Sequence, residues 1–176
     1  MPSFENALRL ANSPRLGTGP LQYVFADSMP AYYVGSHIDQ GIFGGLGPAY
    51  HSLNMAQMSA IHHALQEAGS SPNSSLFADV ANITFTYAAD ITGPASMVFG
   101  QAHWANYAPG FGAEGYFPDI ATLEPDDDPN MAGDVVFNSD NDDVVTGSYA
   151  PGSANYALVL HEIGHAVPGT LSKARA

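Results

Sequence analysis

His161-Glu162-Ile163-Gly164-His165 is the stretch on which the reading of this chain turns. In an α-helix, residues four apart share a face, so the two imidazoles can meet one metal ion while Glu162, next to His161, reaches a water beside it. That pattern suits a zinc hydrolase in which His161 and His165 bind the ion and Glu162 is the general base. A lone helical histidine is more often a packed or solvated polar residue. A pair four apart with an adjoining glutamate is read here as a ligand set. The residues before it predict a helix: Ser153 stands as an N-cap behind Pro151-Gly152. Tyr156, Leu160, Ile163 and Val167 follow at spacings of four, three and four, a buried stripe distinct from the histidine face.

Working outward, Gly133-Asp134-Val135-Val136-Phe137-Asn138 reads as a strand leading to that helix by way of Thr146 to Pro151. Further upstream lie Val80-Ala81-Asn82-Ile83-Thr84-Phe85-Thr86 and Ala31-Tyr32-Tyr33. In this order, from about Leu21 to Ala166, these stretches and the motif resemble the serralysin branch of the metzincin zinc peptidases. The resemblance implies an α/β (α+β) zincin-like catalytic domain: a twisted mixed sheet packed on two long helices, the second bearing the motif. It further implies Zn2+ on His161 and His165, polypeptide substrates, and peptide hydrolysis with Glu162 as base. In that family the region after His103 leads into the sheet's edge strand, which pairs with extended substrate. The family is secreted by a C-terminal signal, so an extracellular protein without an N-terminal signal peptide is expected.

The family's motif continues as H-E-x-x-H-x-x-G-x-x-H. Pro168 stands at the glycine position and Leu171 at the third histidine, and the sequence stops at Ala176, before the place of the family's methionine turn. We therefore expect the N-terminal part of a metzincin catalytic domain, truncated after the motif helix, that binds zinc weakly and hydrolyses peptides poorly. The alternative is a non-catalytic protein that keeps the fold and binds peptides or a partner. A third reading is a calcium-stabilised interaction module.

Composition sets the outer bounds. At 176 residues and 45% hydrophobic content the chain suits one domain with a core, and we expect a monomer. Four basic against seventeen acidic side chains, a formal charge of −13, argue against nucleic acid and anionic membranes as partners. The chain has no cysteine and hence no disulfide, no apolar run of membrane-spanning length, and no basic-then-apolar leader.

Taken in order, residues 1–20 read as an N-terminal arm and 21–176 as the partial catalytic domain. Leu21 to Ala26 is a first strand, and Asp27 to Leu53 a long surface connection holding the solvated histidines His37 and His51. Asn54 to Ala68 is a helix with Met55, Met58, Ile61 and Leu65 as core, Asn54 and Gln57 as a capping box, and Gly69 as its stop. His62 and His63, adjacent and so about 100° apart around that helix, cannot share a metal and are read as boundary residues. Ile83 to Ala88 and Met97 to Gln101 are two more strands. An aromatic, glycine-rich stretch follows from His103 to Phe117. Asp126-Asp127-Asp128 and Asp140-Asn141-Asp142-Asp143 could offer oxygen ligands to Ca2+, but the EF-hand glycine is missing from both, and solvated acidic turns are the preferred reading.

Overall fold

Runs of Val, Phe, Tyr and Met build a sheet in the computed structural model, which describes residues 21–34, 50–66, 84–89, 97–104, 110–116 and 129–167. The strands are β1 (Leu21–Phe25), β2 (Tyr50–His51), β3 (Phe85–Tyr87), β4 (Met97–Ala102), β5 (Ala113–Gly115) and β6 (Val135–Asn138). The helices are α1 (Met55–Gln66), α2 (Asp142–Thr146) and α3 (Ala154–Ala166). The spatial order is β3-β1-β4-β6-β5, with β2 paired to β4 beyond the end of β1. Four neighbours in a row, β3, β1, β4 and β6, run parallel, while β5 and β2 are antiparallel to theirs. The result is a mixed α/β fold with a mostly parallel sheet.

Alternation along the strands sorts their side chains onto two covered faces. Tyr23, Met97, Phe99, Val135 and Phe137 point to the side where α1 packs Ile61 and Leu65 and α3 packs Tyr156, Val159 and Ile163. Val24, Val98 and Val136 point the other way, into a cluster with Tyr33, Tyr50, Trp104, Tyr116 and Met131. β4 pairs on both sides, and all six of its residues are buried, as expected of a central strand.

The capping box of α1 forms reciprocally: Gln57 N–H donates to Asn54 Oδ1 at 2.9 Å, and Asn54 N–H donates to Gln57 Oε1 at 2.8 Å. α3 begins after a turn in which Ser153 N–H donates to the Ala150 carbonyl at 2.9 Å and Gly152 takes a φ of 89°. Only glycine adopts that conformation without penalty. Ser153 Oγ then caps the helix by accepting from Tyr156 N–H at 3.2 Å. The expected stripe is buried at Tyr156, Ile163 and Val167, but Val159 rather than the half-buried Leu160 fills its middle.

Three expectations need correction. Met55 is not core: at 78% exposure it opens α1 on the solvent side, and Leu53 takes the buried place. Asp27 to Leu53 is not simply a surface connection, because Tyr33 is fully buried and Tyr50–His51 forms β2. The cause is the second sheet face, which must be covered: Tyr32 and Tyr33 donate to Asp134 Oδ2 at 2.6 and 3.1 Å, and Val98 N–H donates to Oδ1 at 3.0 Å. Those bonds give the buried Asp134 carboxylate the partners that burial demands. Third, Asp140–Asp143 is solvated as expected, with Asp140, Asp142 and Asp143 exposed, but it is more than a turn. Asn141 caps α2 through Asp143 N–H and Val144 N–H, with Asp142 and Asp143 in the first turn, where helix dipoles favour acids. Residues 1–20, His37, Gly69, Ile83, Asp126–Asp128, Phe117, Pro168 and Leu171 lie outside the described residues, as do residues 105–109 of the aromatic stretch.

Candidate metal centre

α3 carries the motif near its C-terminal end, with the two histidines on one side and Glu162 turned to the sheet. His161 is exposed and His165 half-buried, their rings are perpendicular at a centroid distance of 4.6 Å, and their Nε2 atoms lie 3.0 Å apart. Two nitrogens each ~2.0–2.1 Å from one tetrahedral zinc would stand about 3.3–3.4 Å apart, so only a small ring adjustment separates this pair from a shared ion. Burial, and then the neighbouring His161, push the His165 pKa below its usual range, which favours the neutral imidazole that ligates metal.

Glu162 is 6% exposed. Burial pushes its carboxyl up to about 7, a hydrogen bond from the Gly115 backbone opposes that shift, and the nearby Glu114 charge adds to it. β5 is the sheet edge lying against α3, so the edge strand and the motif helix meet at Glu162.

Three other histidines divide by partner. His62 Nδ1 lies 2.5 Å from the Tyr23 hydroxyl, and His63 Nδ1 lies 2.6 Å from that of Tyr156. Both are boundary residues, as their adjacency predicts. His103 Nδ1 is 2.6 Å from Asp140 Oδ1, and Asp140 Oδ2 also accepts from Trp104 N–H at 2.9 Å. His103 is therefore bound away from the motif. Among the described residues, no group of three His, Cys, Asp or Glu side chains could together hold a metal ion, so the motif pair has no third protein ligand there. No helix among them is long and apolar enough to cross a membrane.

One residue of this region escapes a reading based on reactive side chains. Gly115 has none, yet a Cβ there would strike the Glu162 carbonyl oxygen. The available signal is a glycine at the end of a short strand, since glycine in a strand often marks a close backbone approach. No family model matches the chain, and no curated protein matches its sequence.

Proposed function

We propose that this chain is a zinc-dependent endopeptidase of metzincin type, with His161 and His165 as metal ligands and Glu162 as general base. The observation that carries this reading is the convergence of the two Nε2 atoms at 3.0 Å, with a buried glutamate of pKa about 7 on the adjoining position. His161 and His165 would hold the zinc ion, which would supply Lewis acidity towards a scissile carbonyl and bring the pKa of a bound water to ~7. Glu162 accepts the proton of the attacking water and passes it to the leaving amine as the C–N bond breaks. A carboxyl that titrates near neutrality is matched to both halves of that transfer. β5 is the last strand of the sheet order and lies beside Glu162, and pairing of an extended polypeptide with it belongs to this reading.

Among the described residues only these two nitrogens converge, where three protein ligands are usual, so weak zinc binding and slow turnover are the expected behaviour. Leu171 at the third-ligand position also favours the second reading, a peptide-binding protein of the same fold without turnover. The deciding experiment compares zinc-loaded wild type with Glu162→Gln on a casein-like substrate, with zinc content measured in parallel. The expected result is a loss of ~10²–10⁴-fold at unchanged zinc content. Equal hydrolysis by both proteins rejects Glu162 as base, and zinc uptake with no hydrolysis by wild type selects the second reading.

A further inference from the structure

The exposed Met55 that opens α1 is the rim of a cavity. Met55, Met58, Ser59 and His62 form one stripe of α1, which faces Phe25 and Tyr87 across a space of about 440 Å³. That volume falls in the ~300–1,000 Å³ range of small-molecule sites. Phe25 ends β1 and Tyr87 ends β3, so the space lies at the carboxyl ends of two parallel strands, the end of the sheet at which open α/β folds place ligands. The motif is elsewhere, because α3 packs on β5 and β6 at the other side of the strand order.

Three rings build the corner of this space. Phe25 and Tyr87 lie 5.3 Å apart at 38° and form one wall, while the His62 imidazole stands at 82° to the first and 77° to the second, with centroids 4.9 and 5.0 Å away. A further ring laid on that wall stacks on two aromatic faces. Met55 and Met58 meet it from the helix, where their unbranched thioethers adapt to its outline. The imidazole has a fixed polarity. Tyr23 is fully buried, and among the described residues its hydroxyl has one partner, His62 Nδ1. The hydroxyl donates, since the reverse would leave its own proton unpaired in the core, and the imidazole proton therefore sits on Nε2. Burial pushes the His62 pKa down, which favours this neutral form. No Asp, Glu, Lys or Arg lines the space, and the formal charge of −13 opposes an anion.

We propose that this cavity binds an uncharged aromatic compound bearing a carbonyl: the ring stacks on Phe25 and Tyr87, and the carbonyl oxygen accepts from His62 Nε2–H. Met55 and Tyr87, 78% and 40% exposed, are the apolar rim that such a ligand covers. The site does not depend on the endopeptidase reading.

Acetophenone is the probe, titrated into the metal-free full chain at neutral pH and followed by NMR of the methionine methyl groups and histidine nitrogens. Saturable shifts of the Met55 and Met58 methyls and of His62 Nε2 are expected. Benzoate and phenyltrimethylammonium carry the same ring with an anionic or a cationic group, and each should bind at least about fivefold more weakly, because the cavity has no partner for a charge. Tyr87→Ala removes half of the wall and should weaken acetophenone at least about fivefold. The double variant Tyr23→Phe/His62→Phe removes the donor without stranding a buried hydroxyl, and should weaken it by ~2–10-fold, the range of one side-chain hydrogen bond. The proposal is overturned by the lack of a saturable shift at Met55 and Met58, by either charged probe binding as tightly as acetophenone, or by unchanged affinity in either variant. Should a variant fail to fold, Met55→Ala takes its place, since that side chain already stands in solvent. A loss of about twofold or more then supports the cavity, and unchanged affinity overturns it.

Discussion

α1 and α3 each carry two histidines, and the two pairs have opposite fates. His62 and His63 are adjacent, so they diverge around α1, and each ring is taken by a different tyrosine hydroxyl, that of Tyr23 and that of Tyr156. His161 and His165 are four apart, and their Nε2 atoms meet at 3.0 Å. Spacing, not the number of histidines, decides whether two imidazoles can act on one ion. The first pair has a different use. Through His63 and Tyr156 it ties α1 to α3, so the divergent pair helps to hold the helix that presents the convergent one.

The largest effect that can break this contrast is on metal binding. His161→Ala or His165→Ala should weaken zinc binding at least ~100-fold, the upper end of what loss of even an outer-shell partner costs. His62→Ala and His63→Ala should leave it within about threefold. Titration calorimetry against a competing chelator measures all four. Comparable losses from both pairs would erase the distinction.

A smaller effect separates Glu162 from the boundary residues of α1. Its carboxyl is raised from 4.5 to about 7 in the folded chain, chiefly by burial. Below about pH 4.5 the group is neutral in both folded and unfolded chains and costs nothing. As pH rises towards 7 the unfolded chain ionises first, and the stability tied to the neutral acid is lost. Metal-free Glu162→Gln should therefore exceed wild type by roughly 2 kcal/mol at pH 8, a figure discounted from ~1.36 kcal/mol per pKa unit for the solvent that reaches the site, and match it near pH 4. Urea unfolding at the two pH values checks this. An equal difference at both would place the cause in packing and not in ionisation.

How far the sequence was legible follows the range of the interactions. Local signals read true: the Asn54/Gln57 capping box, the Ser153 cap and the four-residue histidine spacing are all set within one helical turn. Strands β1, β4 and β6 announced themselves by apolar runs. What failed depended on contacts between distant residues. Tyr32 and Tyr33 looked like loop residues because their partner, Asp134, lies about a hundred positions away. β2 is two residues long and exists because β4 has a free flank there. Met55 has the right spacing for the core but sits where α1 has not yet reached the sheet. Gly115 was silent because its contribution is the absence of a side chain, and only the approach of α3 makes that absence matter.

The smallest effect probes the link between the two pairs. Tyr156 is 5% exposed and its ring packs on His63 at a centroid distance of 5.5 Å, while its hydroxyl makes the 2.6 Å bond to Nδ1. Tyr156→Phe keeps the ring and removes only the bond. A net side-chain hydrogen bond contributes ~0.5–1.5 kcal/mol, so the variant should lose about 1 kcal/mol in urea unfolding. Tyr156 stands five residues before His161 on the same helix, and if the strut holds α3 in place, a second readout should move with the first. The zinc affinity of Tyr156→Phe should fall by a few fold, far less than on loss of a ligand, because the pair itself is intact and only its support is loosened. Tyr23→Phe removes the corresponding bond to His62 from β1, which lies away from α3 in the sheet. It should lose similar stability and leave zinc affinity unchanged. If both variants weaken zinc equally, the strut through His63 has no special part in presenting the motif, and the two histidines of α1 are equivalent boundary residues after all.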